Sequence, residues 1–190
     1  MISDRDARAI LVAVWPGRTL AEYQIVQAIG RFEGNYGAAF DAANNWGASQ
    51  RPALADGSCP LGTTATPDFD AQGVQYTACI FRLPSPEAGA RALVRALTAP
   101  RRPEVGRALT SGNARRVAGA MSRSGYMAAK PDRYALSIQR NARTIARALG
   151  EPLKVTSSSP ASSSPLGAFA FVAVFLEFAI IAFLATRGRT

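Results

Sequence analysis

Six helix-start signals, each answered by its own stop, punctuate the chain from Ser3 to Pro152 and leave room for a single β-like stretch. Ser3, with Asp6 three residues on, opens a helix over residues 3 to 14 that carries Ile10, Leu11 and Val14 and ends at Trp15-Pro16-Gly17. Thr19, with Glu22, opens a second, on which Ala21, Ile25, Ala28, Ile29 and Phe32 recur at helical spacing until Gly34 stops it. Ser85-Pro86-Glu87 places a capping hydroxyl, a proline at the first position and an acid in the first turn of a third, which packs through Ala90, Leu93, Val94 and Leu97 and ends at Pro100. Pro103 begins a short helix with Val105 and Leu109 inward, and Asn113 to Met121 gives another. After the turn from Gly125 to Pro131 the last one carries Tyr134, Ile138, Ile145 and Leu149, and Gly150 and Pro152 close the domain. The expected fold class is mostly α, an α+β domain with one small β lobe.

That lobe is read from Val74, Tyr76, Ala78 and Ile80, which alternate with Gln75, Thr77, Cys79 and Phe81 in a period of two. A hairpin follows, with Thr66 to Gly73 as its connection and its midpoint near Phe69. Cys59 and Cys79 fall on either side of that midpoint as candidate cross-strand neighbours. A bridge closing such a loop contributes about 3 kcal/mol in the chain-entropy model and points to an oxidising final location. Two buried free thiols are the alternative.

Histidine is absent, which excludes His-based triads, the usual His metal sites and His general bases. Acid–base chemistry then falls to carboxylates, tyrosines or lysines, and no metal or organic cofactor is expected. The formal charge of +9 comes from 20 Arg and 2 Lys against 13 acids, a field that favours anionic partners. The arginines are scattered along helix-like segments with no zinc or RNA-recognition motif beside them, so nucleic acid is not the expected partner. Anionic wall polymers or a membrane surface fit equally well.

Residues 1 to 154 read as the folded domain and residues 155 to 165 as a Ser/Pro linker. Leu166 to Ala185 is an apolar run of 20 residues with one charge, long enough for a membrane span, and a basic tail covers residues 186 to 190. A buried core helix is the alternative for that run. Glu177 lies near its middle, where a charged acid costs on the order of 2 to 3 kcal/mol, so contact with another membrane subunit or a second copy is the reading offered for it. The start is not read as a signal peptide, because acids and arginines at positions 4 to 8 interrupt it.

The chemistry is sought in Arg31 to Gln50. Glu33 follows Ile29 by four residues, beside the apolar stripe, where desolvation can raise a carboxyl toward general-acid duty. Tyr36, Asn45 and Trp46, with Gly34, Gly37 and Gly47 around them, have the aromatic, amide and glycine mix of a sugar groove. A solvated helix-end acid and a packed loop aromatic are the plainer alternative. Asp68 and Asp70 are the acids that could face Glu33 across a cleft, although Asp near Pro and Gly also serves turns.

In order along the chain, Glu33-Gly-Asn-Tyr-Gly, Asn44-Asn45-Trp46-Gly47, Phe81-Arg82 with Ser85-Pro86-Glu87-Ala88, and Gly125-Tyr126 with Pro131-Asp132-Arg133-Tyr134-Ala135 resemble the landmarks of bacterial and phage peptidoglycan glucosaminidases of the lysozyme superfamily. Gly47-Ala48-Ser49-Gln50 also looks like lytic transglycosylases. The resemblance implies a lysozyme-like helical domain with a small β lobe that cuts peptidoglycan glycan strands. It implies Glu33 as the acid, Tyr126 beside the reacting sugar, Asn45 and Trp46 along the groove, and Tyr134 as a landmark equally at home in the core. The glutamate that the family often carries in the β lobe is missing, and only Asp68 or Asp70 can stand in. Tied to a bilayer, such a chain resembles virion-associated lysins of membrane-containing phages. A virion membrane protein that keeps the groove and binds wall glycan without catalysis is the competing expectation.

Overall fold

The structure, a computed structural model, describes residues 2–39, 44–69, 73–127 and 130–157, with Phe69 by its backbone alone. Among these residues six helices accompany one small sheet: α1 Asp4–Val14, α2 Leu20–Gly34, β1 Gln50–Arg51, β2 Thr63–Phe69, β3 Gln75–Phe81, α3 Pro86–Thr98, α4 Pro103–Thr110, α5 Ala114–Arg123 and α6 Pro131–Leu149. The chain is thus α+β, as its punctuation predicts. The caps are the physical reason. Thr19 Oγ1 accepts from the Glu22 amide at 3.2 Å while Glu22 Oε2 accepts from the Thr19 amide at 2.9 Å, and Ser85 and Asn113 cap α3 and α5. The stop of α2 comes one residue later than expected. Gly34 is still helical, and Asn35 (φ 43°) and Tyr36 (φ 57°) take the left-handed turn that ends the helix.

Helix α2 is the axis of the domain, buried without interruption from Glu22 to Gly30 and packed against α1, α3, α4 and α6. Burying Gln24 and Gln27 on such a helix demands partners for both amides, since an unpaired buried amide costs about 1–3 kcal/mol. They find them in the two ends of the domain. Gln27 Nε2 donates to the Asp4 carbonyl at 2.8 Å and its Oε1 accepts from Arg8 Nε at 2.8 Å. Gln24 Nε2 donates to the Pro152 carbonyl at 2.9 Å and its Oε1 accepts from the Lys154 amide at 2.8 Å. Packing continues beyond the boundary expected at residue 154. Val155 is buried in the core, and Thr156 pairs with the start of α5 through Thr156 N to Gly112 O (2.9 Å) and Ala114 N to Thr156 O (2.8 Å).

The sheet has the order β1-β3-β2, all antiparallel. Two expectations change here. Asp68, read as a connection residue, is inside β2 opposite Tyr76. The period of two also fails as a burial pattern: Gln75, Tyr76 and Thr77 are all exposed, whereas Ala78, Cys79 and Ile80 are all buried. Among the described residues the first half of β3 pairs with β2 alone, whereas Cys79 and Ile80 lie between β1 and β2, with Cys79 held in its bridge. Cys59 and Cys79 are joined, S–S 2.03 Å and Cα–Cα 5.4 Å. They are not cross-strand neighbours, because Cys79 faces Ala65 and Arg51 in the ladders while Cys59 precedes β2. The bridge pins the β1–β2 loop to the sheet.

Among the described residues no helix is long and apolar enough to cross a membrane. The expected span from Leu166 to Ala185, with Glu177, lies outside the described residues, as do most of the linker and the basic tail.

Candidate active site

Glu33 occupies the next-to-last position of α2, half-buried. Burial pushes its carboxyl above the ordinary carboxylate range; the hydrogen bond from Tyr134 pulls the other way, and the charge of Asp68 adds a smaller upward push. The donor, Tyr134 Oη, comes from the first turn of α6 and bonds Glu33 Oε1. Its ring is buried and meets Phe32 edge-on at 5.2 Å, which fixes the direction of the hydroxyl. Tyr126 follows α5. Burial, then the Glu33 charge, raise its phenol above the usual value, and the Arg102 guanidinium sits 5.4 Å from its ring centre. Its hydroxyl is buried and finds no hydrogen-bond partner among the described residues. A carboxyl that burial raises above its ordinary range, with one phenol bonded to it and a second raised by its charge, has the surroundings a general acid needs.

Asp68, on β2, acts on this acid through its charge. Tyr76 Oη donates to Asp68 Oδ2 at 2.9 Å, and Gln50 Nε2 donates to Tyr76 Oη at 3.2 Å. Tyr76 and Gln50 in turn line an open cleft of ≈ 590 Å³ with Arg51, Pro52, Ala53 and Thr77. Glu33 is not among the residues that line the cleft; what relates the two is the charge of Asp68, which bonds Tyr76 on one side and raises Glu33 on the other. Asp70 lies outside the described residues.

Three expected groove residues are placed differently. Trp46 is fully buried, and its ring meets Tyr36 at 5.0 Å rather than offering a face to a ligand. Tyr36 is buried too, with its hydroxyl donating to Asp4 Oδ1 at 2.8 Å. Asn45 is 1% exposed, and its amide is spent on the backbone: Nδ2 donates to Ser49 O (2.7 Å) and Phe81 O (3.2 Å), and Oδ1 accepts from Ser49 N (3.0 Å). Tyr36 and Asn45 stay buried because their polar atoms are satisfied, whereas Trp46 is held by packing alone, its Nε1 finding no hydrogen-bond partner among the described residues. Asn45 ties β1 to β3; Trp46 seats the loop.

Glycines on separate elements make room for that loop. A Cβ at Gly89 of α3 would overlap the Asn44 carbonyl oxygen, and one at Gly37 would overlap the Asn44 backbone. At Gly30 of α2 a Cβ would stand 3.1 Å from the Trp46 ring, and at Gly47 it would stand 3.1 Å from Tyr126 Oη. The loop thus lies directly on helix backbone, and its own glycine lets the Tyr126 hydroxyl approach. Sequence reasoning missed Gly30, Gly89, Arg102 and Tyr76. An exposed aromatic on a strand with no burial alternation is the one signal that could have marked Tyr76.

Among the described residues no group of acids and cysteines is arranged to hold a metal ion. Compared with models of protein families, with curated proteins and with solved structures, the chain matches none.

Proposed function

We propose that this chain cleaves the GlcNAc/MurNAc backbone of peptidoglycan, with Glu33 as the acid that protonates the glycosidic oxygen. One observation carries the reading: a half-buried carboxyl held above its ordinary range, bonded by Tyr134 and facing the charge of Asp68 on the opposite lobe. Glycoside cleavage uses an acid whose surroundings favour its protonated form together with a second carboxylate. The motif order that resembles lysozyme-superfamily glucosaminidases and lytic transglycosylases supports the same class, with a lysozyme-like fold.

In this reading the glycan lies along the cleft beside Gln50 and Tyr76. Glu33 protonates the leaving oxygen as an oxocarbenium-like centre develops, and Asp68 stabilises that charge or directs a water to it. Tyr126, with a buried unpaired hydroxyl beside the acid, supplies a donor to the sugar. The run from Leu166 to Ala185 anchors the enzyme in a bilayer, Glu177 meets a neighbouring subunit there, and a phage virion that opens the wall during entry is the setting.

The test is digestion of purified peptidoglycan by the full-length chain in mild detergent, wild type beside Glu33→Gln, with mass analysis of the products. Release by the wild type alone supports the proposal. Reducing GlcNAc ends then mean a glucosaminidase, reducing MurNAc ends a muramidase, and anhydro-MurNAc ends a transglycosylase. Binding without release, where a known lysozyme works, replaces the enzyme with a glycan-binding module.

A further inference from the structure

Away from the acid, α4 and α5 enclose a cleft of ≈ 300 Å³ whose rim carries Arg107, Arg115, Arg116 and Arg123, with Glu104 as its carboxylate. All four arginines are exposed. Arg115 is matched by Asp132 at 2.8 Å, but among the described residues no carboxylate pairs with Arg107, Arg116 or Arg123. Gly119 keeps the cleft open. A Cβ there would stand 3.2 Å from Arg123 Nη1, so the guanidinium lies across bare backbone. Four exposed arginines gathered on one face, against Glu104 and Asp132, make a surface for a polyanion rather than a self-neutralised helix face.

The position of this face in the chain says which polyanion. The last described residues run beside the start of α5: Thr156 pairs with Asn113, and Ser157 lines a small cavity with Arg115 and Asp132. Ser157 therefore stands at the edge of the arginine cluster. Only residues 158 to 165 separate it from the apolar run at Leu166. Eight residues reach at most about 30 Å. If Leu166 to Ala185 spans a bilayer, the arginines are held within that reach of its headgroups at a high effective concentration.

We propose that the α4–α5 face, through Arg107, Arg116 and Arg123, docks on the anionic surface of the bilayer in which the chain is anchored, and so orients the domain. The proposal rests on the membrane-span reading and is independent of the cleavage reaction. Each basic residue at an anionic bilayer surface is worth roughly a fivefold shift of the docking equilibrium, so three together shift it by on the order of a hundredfold. The contact is electrostatic and screened by salt.

The experiment reconstitutes the full-length chain into phosphatidylcholine vesicles with and without phosphatidylglycerol, checks co-flotation, and follows amide exchange by mass spectrometry. Peptides from Pro103 to Arg123 are expected to exchange more slowly in the anionic vesicles only. That protection is expected to vanish in 0.5 M salt (roughly a 4 Å Debye length) and in the triple variant Arg107→Gln, Arg116→Gln, Arg123→Gln. Unchanged exchange of α2 and α6 in that variant shows that its fold is intact. A chain that does not co-float refutes the span, and the proposal with it. A chain that co-floats without lipid-dependent protection of α4–α5 overturns the proposal and leaves the span standing. Protection by added duplex DNA but not by anionic lipid overturns it in favour of nucleic acid.

Discussion

Replacing Gly89 by alanine sets two known effects against each other at one position. In the interior of an exposed helix, Gly→Ala stabilises by about 1 kcal/mol through backbone entropy. Here the added methyl would overlap the Asn44 carbonyl oxygen and stand 2.8 Å from Trp46 Cδ1. Neither neighbour yields easily. Asn44 is tied by its amide to the Leu83 carbonyl at 3.0 Å, and Trp46 is fully buried. Forcing a methyl into such packing costs about 3 kcal/mol, the upper part of the usual overpacking range. The clash wins, and Gly89→Ala is expected to lose about 2 kcal/mol. Gly106, on α4, is the control, because nothing lies within 4 Å of its would-be Cβ. Gly106→Ala is expected to gain about 1 kcal/mol. Urea unfolding of the full-length proteins, followed by tryptophan fluorescence, reads both. With a slope of about 1.5 kcal/mol per molar, the two midpoints are expected to differ by about 2 M. A Gly89→Ala midpoint at or above that of the wild type would refute the claim that the Asn44–Trp46 loop lies directly on α3.

Four further outcomes are expected. Glu33→Gln removes a carboxyl that folding desolvates, so its effect on stability depends on pH. Below the ordinary carboxylate range both proteins match. As pH rises through the window up to the raised folded value the wild type loses stability, so the variant is the more stable at neutral pH, as melting at the two ends of that window reads out. Tyr134→Phe removes the bond that lowers Glu33, so the carboxyl rises further and the alkaline limb of the pH–activity profile moves to higher pH. Reduction of the Cys59–Cys79 bridge, which spans 20 residues, is expected to cost about 3 kcal/mol, measured as the loss of urea midpoint in dithiothreitol. Glu151→Ala strands the Arg8 guanidinium, whose side chain is 11% exposed, and is expected to cost about 2 kcal/mol in the same titration, below a fully buried pair because Glu151 is 25% exposed.

Helices were legible because their ends are written locally. Ser85-Pro86-Glu87 and Thr19 with Glu22 act within one turn, so the residues that make the cap also announce it. Glu33 was legible for a similar reason, since its distance from Ile29 sets its place on the helix. What the sequence does not write is the partner of a side chain from another element. Asn45 and Trp46 have the composition of a ligand groove, and only the approach of α3 through Gly89 turns them inward. Tyr134 could be read as core or as site; its ring is buried and its hydroxyl is bonded to Glu33. The cysteine pairing was accessible from number alone, but its geometry depends on a loop whose path is not periodic.

The two carboxyls stand on parts of the molecule with different mechanical support. Glu33 ends the most buried helix, whose amides hold both ends of the domain. Asp68 stands on a sheet whose strands pack mainly against one another, so its placement depends on what joins the sheet to the helices. Two of the joints are polar: the Asn44 amide on Leu83 O, and the Asn45 amide on Ser49 and Phe81. The bridge from Cys59 to Cys79 ties the β1–β2 loop to the same sheet. A hydrogen-bond pair from adjacent asparagines can act as a hinge, whereas a bridge removes freedom along the sheet. The Asn44–Ser49 loop is therefore one of the joints between the sheet that carries Asp68 and the helix that carries Glu33, and the glycines under it are what let it pack there.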